Sequence, residues 1–115
     1  HDEIRILLSE VLAGIISLRL LPTADGKGRV PAAEVLVNTA AIKEYIRDKD
    51  KLSLVEHAIA EGHMQYHSQT FDQALLELYK TEQISLETAM NAATNKDDFD
   101  LKIRGISGTS DRGWM

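Results

Sequence analysis

The sequence contains no cysteine, and this absence excludes several classes of site. Without a thiol the chain has no disulfide framework, no cysteine nucleophile and no cysteine-based zinc site, which suits a cytosolic protein. Long apolar runs are missing as well, because every hydrophobic stretch is interrupted well before the roughly 20 residues that a membrane-spanning helix needs. No signal peptide is visible.

An excess of basic residues is also missing. The 115 residues carry 13 Lys and Arg against 18 Asp and Glu, giving a formal net charge of −5. This is the wrong sign for a general nucleic-acid binder. Length and composition, 43% hydrophobic and 27% charged, are ordinary for one globular domain. The chain starts at His1 and enters a helical pattern almost at once, so we expect a fragment of a longer protein.

The first segment has the spacing of an amphipathic helix. Apolar residues recur at the i, i+3, i+4, i+7 intervals that place side chains on one face, namely Ile4, Leu7, Leu8, Val11, Leu12, Ile15 and Ile16. The pattern predicts a helix from about residue 3 to residue 16, with Asp2 as its N-cap.

Two extended segments follow this helix. The stretch SLRLLP ends at Pro22, which cannot donate a ladder hydrogen bond and disfavours helix at the residue before it. The stretch RVPAAEVLVN has Pro31 near its start and then the run Val35-Leu36-Val37, which suits a strand. Turn residues in TADGKG lie between them, so the sequence predicts a β-hairpin with a long loop.

Helical signals resume after this hairpin, and five more helices are predicted. Asn38 or Thr39 caps the first, which runs to about Asp48. Ser53 caps the second, which ends at Gly62. The third follows a T-x-x-Q capping box over residues 70–73, and two short helices then begin at caps. Their predicted caps and apolar faces are Thr70 with Phe71, Leu75, Leu78 and Tyr79; Ser85 with Leu86, Ala89 and Met90; and Asn95 with Phe99, Leu101 and Ile103.

The predicted architecture is mainly α, with one β-hairpin inserted after the first helix. We expect one helical domain over residues 1–106. The remaining residues, 107–115, are rich in glycine and serine and lack periodicity, which predicts a flexible tail.

No catalytic or metal centre can be read from the residues. The DGKGR stretch departs from the phosphate-binding loop G-x-x-x-x-G-K-[ST] and is better explained as a hairpin turn. His57, His63 and His67 lack a third ligand at a fixed spacing. Asp97 and Asp98 lie at a predicted helix N-terminus, where negative charge is stabilised without any catalytic role. On its own this chain is expected to be inactive.

Residues 41–48 sort their charges in an unusual way. Lys43 and Arg47 are four residues apart, and so are Glu44 and Asp48. On a helix these become two rows of like charge, each costing roughly 0.2–0.5 kcal/mol. Without further information, the segment is a surface helix with an ordinary buried stripe.

Four segments, taken together, resemble the C-terminal region of the type IV pilus retraction ATPases, the PilT twitching-motility family. They are LAGIISLRLLPTADGKGRVPAAEVLVNT, AIKEYIRDKDK, QTFDQALLELYKTEQISLETAMNAA and TNKDDFDLKI. The second is similar to the family signature A-I-R-N-L-I-R-E. The resemblance covers about residues 4 to 106 and rests on several ordered motifs.

The signature carries over residue by residue onto this helix, with two departures. Ala41, Ile42, Ile46 and Arg47 match it, and Lys43 and Asp48 keep the sign of the charge, whereas Glu44 and Tyr45 replace the usual Asn and Leu. A third departure precedes the Q-T-F-D-Q segment, where His67 and Ser68 stand in place of the usual Gly-Met.

The resemblance implies the C-terminal part of a RecA-like P-loop ATPase. It implies a homo-hexameric, cytoplasmic motor, peripheral to the inner membrane, that uses ATP and Mg²⁺ to retract pili through an inner-membrane platform. The ATP-binding motifs of the family lie outside this chain. The signature helix, Ala41 to Asp48, is then expected to couple the motor to its neighbours.

Other interpretations stay open beside this one. A pilus-assembly or type II secretion ATPase is similar, but usually carries a four-cysteine zinc segment where this chain has PTADGKGR. An accessory retraction ATPase shares the Q-T-F-D-Q helix and is disfavoured by residues 41–48. A stand-alone helical interaction module is the alternative of another class, and an independent hydrolase using the histidines is disfavoured.

Overall fold

A computed structural model describes residues 2–105. The chain folds into seven α-helices, a 3-10 helix and one antiparallel hairpin within that range. In chain order these are α1 (Asp2–Val11), β1 (Gly14–Pro22), β2 (Arg29–Val37), α2 (Ala40–Arg47), the 3-10 helix (Lys49–Leu54), α3 (Val55–Glu61), α4 (His63–Tyr66), α5 (Phe71–Lys80), α6 (Leu86–Ala92) and α7 (Lys96–Arg104). The mainly α architecture with one hairpin is confirmed. The predicted tail, 107–115, lies outside the described residues.

The first helix is shorter than predicted. It ends at Val11, and Gly14 already begins β1, so the prediction of a helix to residue 16 is wrong. Gly14 permits the two strands to pack closely at this point, because a Cβ there would lie 2.8 Å from the carbonyl oxygen of Leu36. Asp2 is the first helical residue and not a residue preceding the helix.

The apolar side of α1 faces outward. Side chains that the amphipathic pattern places on one face are between 45% and 67% exposed, namely Ile4, Leu7, Leu8 and Val11. The side that packs within the molecule holds Ser9 instead, which is 1% exposed and donates to the Ile6 carbonyl at 2.7 Å. The helix is therefore turned so that its polar side meets the rest of the chain.

The hairpin has one face in the core and one face in solvent. On the inner face Leu21 and Ala32 are buried, and the Arg19 guanidinium lies 4.1 Å from the centre of the Phe71 ring. The cross-strand pairs of the outer face are Ile16 with Val35, Leu18 with Ala33, and Leu20 with Pro31. The loop is the predicted turn, in which Gly26 takes a φ of 73° and the Asp25 carboxylate accepts from the Thr23 hydroxyl at 2.6 Å.

The main core is built around α5. Its first six residues, Phe71 to Leu76, are all buried, so the helix is enclosed on most sides and does not bury a single stripe. Phe99 of α7 and Ala89 of α6 are fully enclosed beside it. The predicted capping box is present, since the Thr70 hydroxyl accepts from the Gln73 N–H at 3.1 Å and the Gln73 side chain accepts from the Thr70 N–H at 2.9 Å.

Two further predicted caps are confirmed and one is wrong. Ser85 caps α6 and Asn95 caps α7, through side-chain oxygens that accept from N–H groups 3.1 Å away. Ser53 caps nothing, because it lies inside the 3-10 helix that precedes α3. Leu101, predicted on the apolar face of α7, is 66% exposed.

No helix within residues 2–105 is long and apolar enough to cross a bilayer.

Candidate functional site

The signature helix α2 begins at a cap provided by Thr39. The Thr39 hydroxyl accepts from the Ile42 N–H at 3.3 Å, and the Lys43 N–H reaches the Thr39 carbonyl at 2.9 Å. The helix buries Ile42 and Ile46, which are 1% and 8% exposed. These two form a small core with Ile59 of α3, and four partly buried residues pack against it, namely Leu12, Leu36, Val55 and Ala58. The predicted buried stripe of the signature is confirmed at these two positions.

The opposite side of α2 is polar and exposed. Lys43, Glu44 and Arg47 are all exposed, so the basic row of the signature is formed as predicted. Ala41 is exposed too, and Tyr45 is half-buried. Both line a cleft of about 310 Å³ between α2, α3 and α4.

The acidic row is not formed, and this prediction is wrong. Asp48 ends α2 in an extended conformation, with φ −106° and ψ 111°, and so leaves the helix surface that Glu44 occupies. Its carboxylate accepts from the Asp50 N–H at 2.9 Å and thereby caps the 3-10 helix. Asp48 therefore ends one helix and begins the next, and the repulsion expected between Glu44 and Asp48 does not arise from helical spacing.

Asn38 joins the signature helix to α1. Its side-chain amide donates to the carbonyls of Ser9 at 3.0 Å and Leu12 at 2.6 Å, and its backbone N–H donates to the Ala13 carbonyl at 3.1 Å. The Ser9 carbonyl lies in the last turn of α1, where a helix leaves acceptors unsatisfied, and Leu12 and Ala13 directly follow the helix. One residue thus caps the end of α1 while its neighbour Thr39 caps the start of α2.

A second, weaker link connects the far end of α2 to the same helix. Arg47 Nη1 lies 3.9 Å from Glu10 Oε1, and both side chains are about half exposed or more. An exposed pair at this distance contributes at most about 1 kcal/mol. Lys43 makes no ion pair with the residues that the structure describes, so it is the more available member of the basic row.

The structure shows the local environment of His67 and Ser68, the two departures before the Q-T-F-D-Q segment. His67 adopts the left-handed conformation, with a φ of 60°, at the end of α4. The resemblance leads us to expect glycine at this position, and glycine is the residue best suited to the left-handed conformation. Ser68 is buried and donates to the Ile59 carbonyl at 2.7 Å. Its hydroxyl would lie 2.7 Å from a Cβ on Gly62, so Gly62 is needed for close approach.

The remaining candidate residues are not brought into one site. His63 Nδ1 lies 2.7 Å from the Ser68 carbonyl, and His57 contacts Glu61 on its own helix. Within residues 2–105 no group of three His, Asp or Glu side chains is placed to hold a metal ion. Asp97 and Asp98 lie in the first turn of α7, as predicted, and Asp100 pairs with Arg104 at 3.0 Å.

Sequence reasoning missed two residues that organise the site. Asn38 was a candidate cap for α2, and nothing in a single sequence shows that its amide reaches back 26 to 29 residues. Asp72 was part of a capping box, yet it is 6% exposed and accepts from the Thr94 N–H, the Thr94 hydroxyl and the Asn95 N–H at 2.9 to 3.1 Å. Its buried carboxylate holds α7 against α5.

Three curated proteins are similar to this chain in sequence. The chain is 36% identical over 107 residues to the type IV pilus ATPase PilU of Pseudomonas aeruginosa, covering 90% of this chain and 27% of PilU. It is 35% identical to a twitching motility protein of Neisseria gonorrhoeae and 36% identical to the type IV pilus retraction ATPase PilT of P. aeruginosa, covering 84% of this chain and 25% and 27% of theirs. No protein-family profile matches the chain.

Solved structures agree with these relatives. A crystal structure of the pilus retraction motor PilT with bound ADP superposes with a TM-score of 0.67 at 37% identity, over 87% of this chain and 26% of that one. The Legionella pneumophila ATPase DotB superposes with a TM-score of 0.58 at 18% identity, and at this identity the match shows a similar fold alone. The chain spans about a quarter of the length of these proteins.

PilU and PilT match at the same identity, so these matches do not separate the two. The resemblance to the pilus retraction ATPase family is itself confirmed: the chain is a homologue of the type IV pilus ATPases, matched over about a quarter of their length.

Proposed function

We propose that this chain is the C-terminal coupling region of a hexameric, RecA-like ATPase motor that retracts type IV pili. The observation that carries the proposal is the match at 35% to 37% identity, over more than four-fifths of this chain, to proteins named as pilus ATPases or twitching motility proteins. In this proposal the motor works in the cytoplasm at the inner-membrane platform, and ATP and Mg²⁺ are bound by parts of the motor outside this chain.

The arrangement of α2 supports a coupling role. The helix is fixed on its inner side by Ile42 and Ile46, and at its start by the junction of Asn38 and Thr39. A helix held in this way moves together with α1, while its exposed basic row stays free to contact another part of the machinery. Lys43 and Arg47 are the residues that we expect to make this contact.

A second candidate function is that of PilU, because the PilU match covers slightly more of this chain at the same identity. A role in pilus assembly or type II secretion, and a role as a stand-alone interaction module, remain alternatives that no observation on this chain favours.

The coupling role can be tested with a double variant, Lys43→Ala with Arg47→Ala, in the full-length motor. Both side chains are exposed, so folding should be nearly unaffected, within about 0.5 kcal/mol per substitution. We expect ATP hydrolysis to continue and twitching motility to be lost. The matched control is Lys49→Ala with Lys51→Ala on the neighbouring 3-10 helix.

Two results would contradict the proposal at different levels. Normal twitching in the Lys43 and Arg47 double variant would refute the coupling contact alone. The absence of a G-x-x-x-x-G-K-[ST] loop from the full-length protein would refute the motor itself.

A further inference from the structure

The side chain of Asn38 leaves one buried acceptor without a donor. Both hydrogens of its amide nitrogen are used, because Nδ2 donates to the Ser9 carbonyl at 3.0 Å and to the Leu12 carbonyl at 2.6 Å. Exchanging the amide nitrogen and oxygen would lose both bonds, so Oδ1 is the atom that stays buried with no donor among the residues that the structure describes. Because buried polar groups are almost always paired, this acceptor calls for an explanation.

The start of α2 has unpaired donors close to this acceptor in sequence. The first N–H groups of a helix have no partner within the helix. The Thr39 hydroxyl accepts from the Ile42 N–H, whereas the N–H groups of Ala40 and Ala41 have no acceptor within residues 2–105. A capping side chain reaches the N–H groups two and three positions after its own residue. Relative to Asn38, Ala40 and Ala41 occupy those two positions.

The chain uses the weaker of two adjacent capping residues. Asparagine is a better N-cap than threonine, yet Thr39 caps α2, and its oxygen lies 3.3 Å from the Ile42 nitrogen. The corresponding distance is 3.1 Å at the caps of α5, α6 and α7. Thr39 has a helical φ of −73° and an extended ψ of 171°, so a change of ψ to about −40° would add it to the helix. One backbone angle and one side-chain rotation therefore separate this junction from one that Asn38 caps.

We propose that Asn38 is a positioning residue that switches the junction between α1 and α2 between two states. In the observed, engaged state its amide holds the C-terminal end of α1, so α1 and α2 move together. In the released state Oδ1 accepts from the N–H of Ala40 or Ala41, α2 begins one residue earlier, and the carbonyls of Ser9 and Leu12 lose their donor. Residues at the ends of elements commonly absorb such changes of backbone angle. This inference rests on the proposed function, in which the switch connects and disconnects α1 and α2.

The test is amide hydrogen exchange at Ala40 and Ala41 in the full-length motor. Asn38→Asp keeps an acceptor for these N–H groups but cannot donate to the carbonyls of α1, so it should favour the released state. Thr39→Ala removes the observed cap and leaves Asn38 as the capping residue, so it should favour the same state. We expect the N–H that residue 38 caps to exchange about tenfold more slowly in both variants than in the unaltered motor.

Asn38→Ala is the matched control. It loses the same bonds to α1 and offers no acceptor, so exchange at Ala40 and Ala41 should stay as fast as in the unaltered motor. Slower exchange in this control would overturn the proposal. Unchanged or faster exchange in Thr39→Ala would overturn it too, even if Asn38→Asp fails to fold.

Activity measurements separate the switch from the motor. In Asn38→Asp and Thr39→Ala we expect ATP turnover to continue and twitching motility to fall. Slower exchange with unchanged twitching would overturn the role of the switch in coupling. The exchange measurement needs no nucleotide, so slower exchange in a full-length protein without ATP hydrolysis would refute the proposed function and support the two states of the junction.

Discussion

The two ends of this chain differ in how far their apolar side chains are buried. In α5, six successive residues are buried. The N-termini of α5, α6 and α7 are capped by Thr70, Ser85 and Asn95. In α1 and β1, apolar side chains face solvent and one strand edge is unpaired in the described part of the chain. The first region is complete in itself, whereas the second has the composition of a core without the partner that would make it one.

The signature helix lies between these two regions. It packs on α1 and, through Ile59, on α3, and Asn38 ties its start to the end of α1. A movement of α1 would therefore be passed to α2 without involving the α5 core. This is the physical basis of the coupling role that we propose for α2.

The largest difference between the regions should be seen on truncation of a leucine. Leu75 is 0% exposed at the centre of α5, and Leu18 is 65% exposed on β1. Leu75→Ala should destabilise the 115-residue chain by roughly 2–5 kcal/mol, because it removes buried contacts and leaves a cavity. Leu18→Ala should change the free energy of unfolding by less than about 0.5 kcal/mol, as measured by urea denaturation. Similar losses for both variants would contradict the division into two regions.

The next largest effect concerns the buried carboxylate that holds α7. Asp72→Ala leaves the N–H groups of Thr94 and Asn95 without their acceptor and should cost roughly 1–3 kcal/mol. The control is Asp97→Ala, which removes an exposed carboxylate from the first turn of α7 and should cost only about 0.3–1 kcal/mol. Urea denaturation monitored by circular dichroism measures both. Equal costs would show that the buried hydrogen bonds are not what holds α7.

A smaller effect is expected at the two residues that adopt positive φ outside glycine. His67, with a φ of 60°, ends α4, and Glu82, with a φ of 64°, lies in the turn after α5. Replacing either with glycine relieves a conformation that costs other residues about 1–2 kcal/mol, but also loosens the unfolded chain. His67→Gly and Glu82→Gly should therefore raise the free energy of unfolding by up to about 1 kcal/mol. His67→Val should lower it, and a stabilising effect of valine would refute the backbone assignment.

The smallest effect depends on pH and concerns Glu56 of α3. Desolvation, followed by repulsion from Glu34 and Asp72, raises the pKa of the Glu56 carboxyl above its ordinary value of 4.5. The folded protein thus holds this proton more firmly than the unfolded chain does. The resulting stability is fully present below pH 4.5 and is lost as the pH rises through the pKa of the folded state.

Substitution of Glu56 should remove this dependence. Glu56→Gln should slightly raise stability at neutral pH and flatten its decline above pH 4.5, in unfolding curves recorded between acidic and neutral pH. The control is Glu44→Gln, at an exposed position on α2. A steeper decline in Glu56→Gln than in the unaltered protein would contradict the sign of the shift.

Much of the fold could be predicted from local sequence signals. The capping box at Thr70 and Gln73, the caps Ser85 and Asn95, and the glycine turn of the hairpin were all predicted, because each depends on residues within a few positions of one another. The end of α1 was not, because Ile15 and Ile16 fit a helical stripe equally well. The strand is decided by the close approach of Gly14 to Leu36, which is a tertiary contact.

The candidate site divides in the same way. Helical spacing predicts that Ile42 and Ile46 are buried on one side of α2. The same spacing predicts that Lys43 and Arg47 are exposed on the other side. The exit of Asp48 from the helix and the reach of Asn38 to Ser9 and Leu12 depend on where other elements lie. A single sequence contains no signal for either.

Amide hydrogen exchange, recorded on the 115-residue chain and on the full-length motor, tests the central claim most directly. Amides in the buried half of α5, around Leu75 and Leu76, should exchange slowly in both proteins. Outward-facing amides of β1, over residues 15–21, should exchange rapidly in the 115-residue chain and more than about tenfold more slowly in the full-length motor. Equal exchange rates at β1 in the two proteins would contradict the claim that the rest of the motor completes this region.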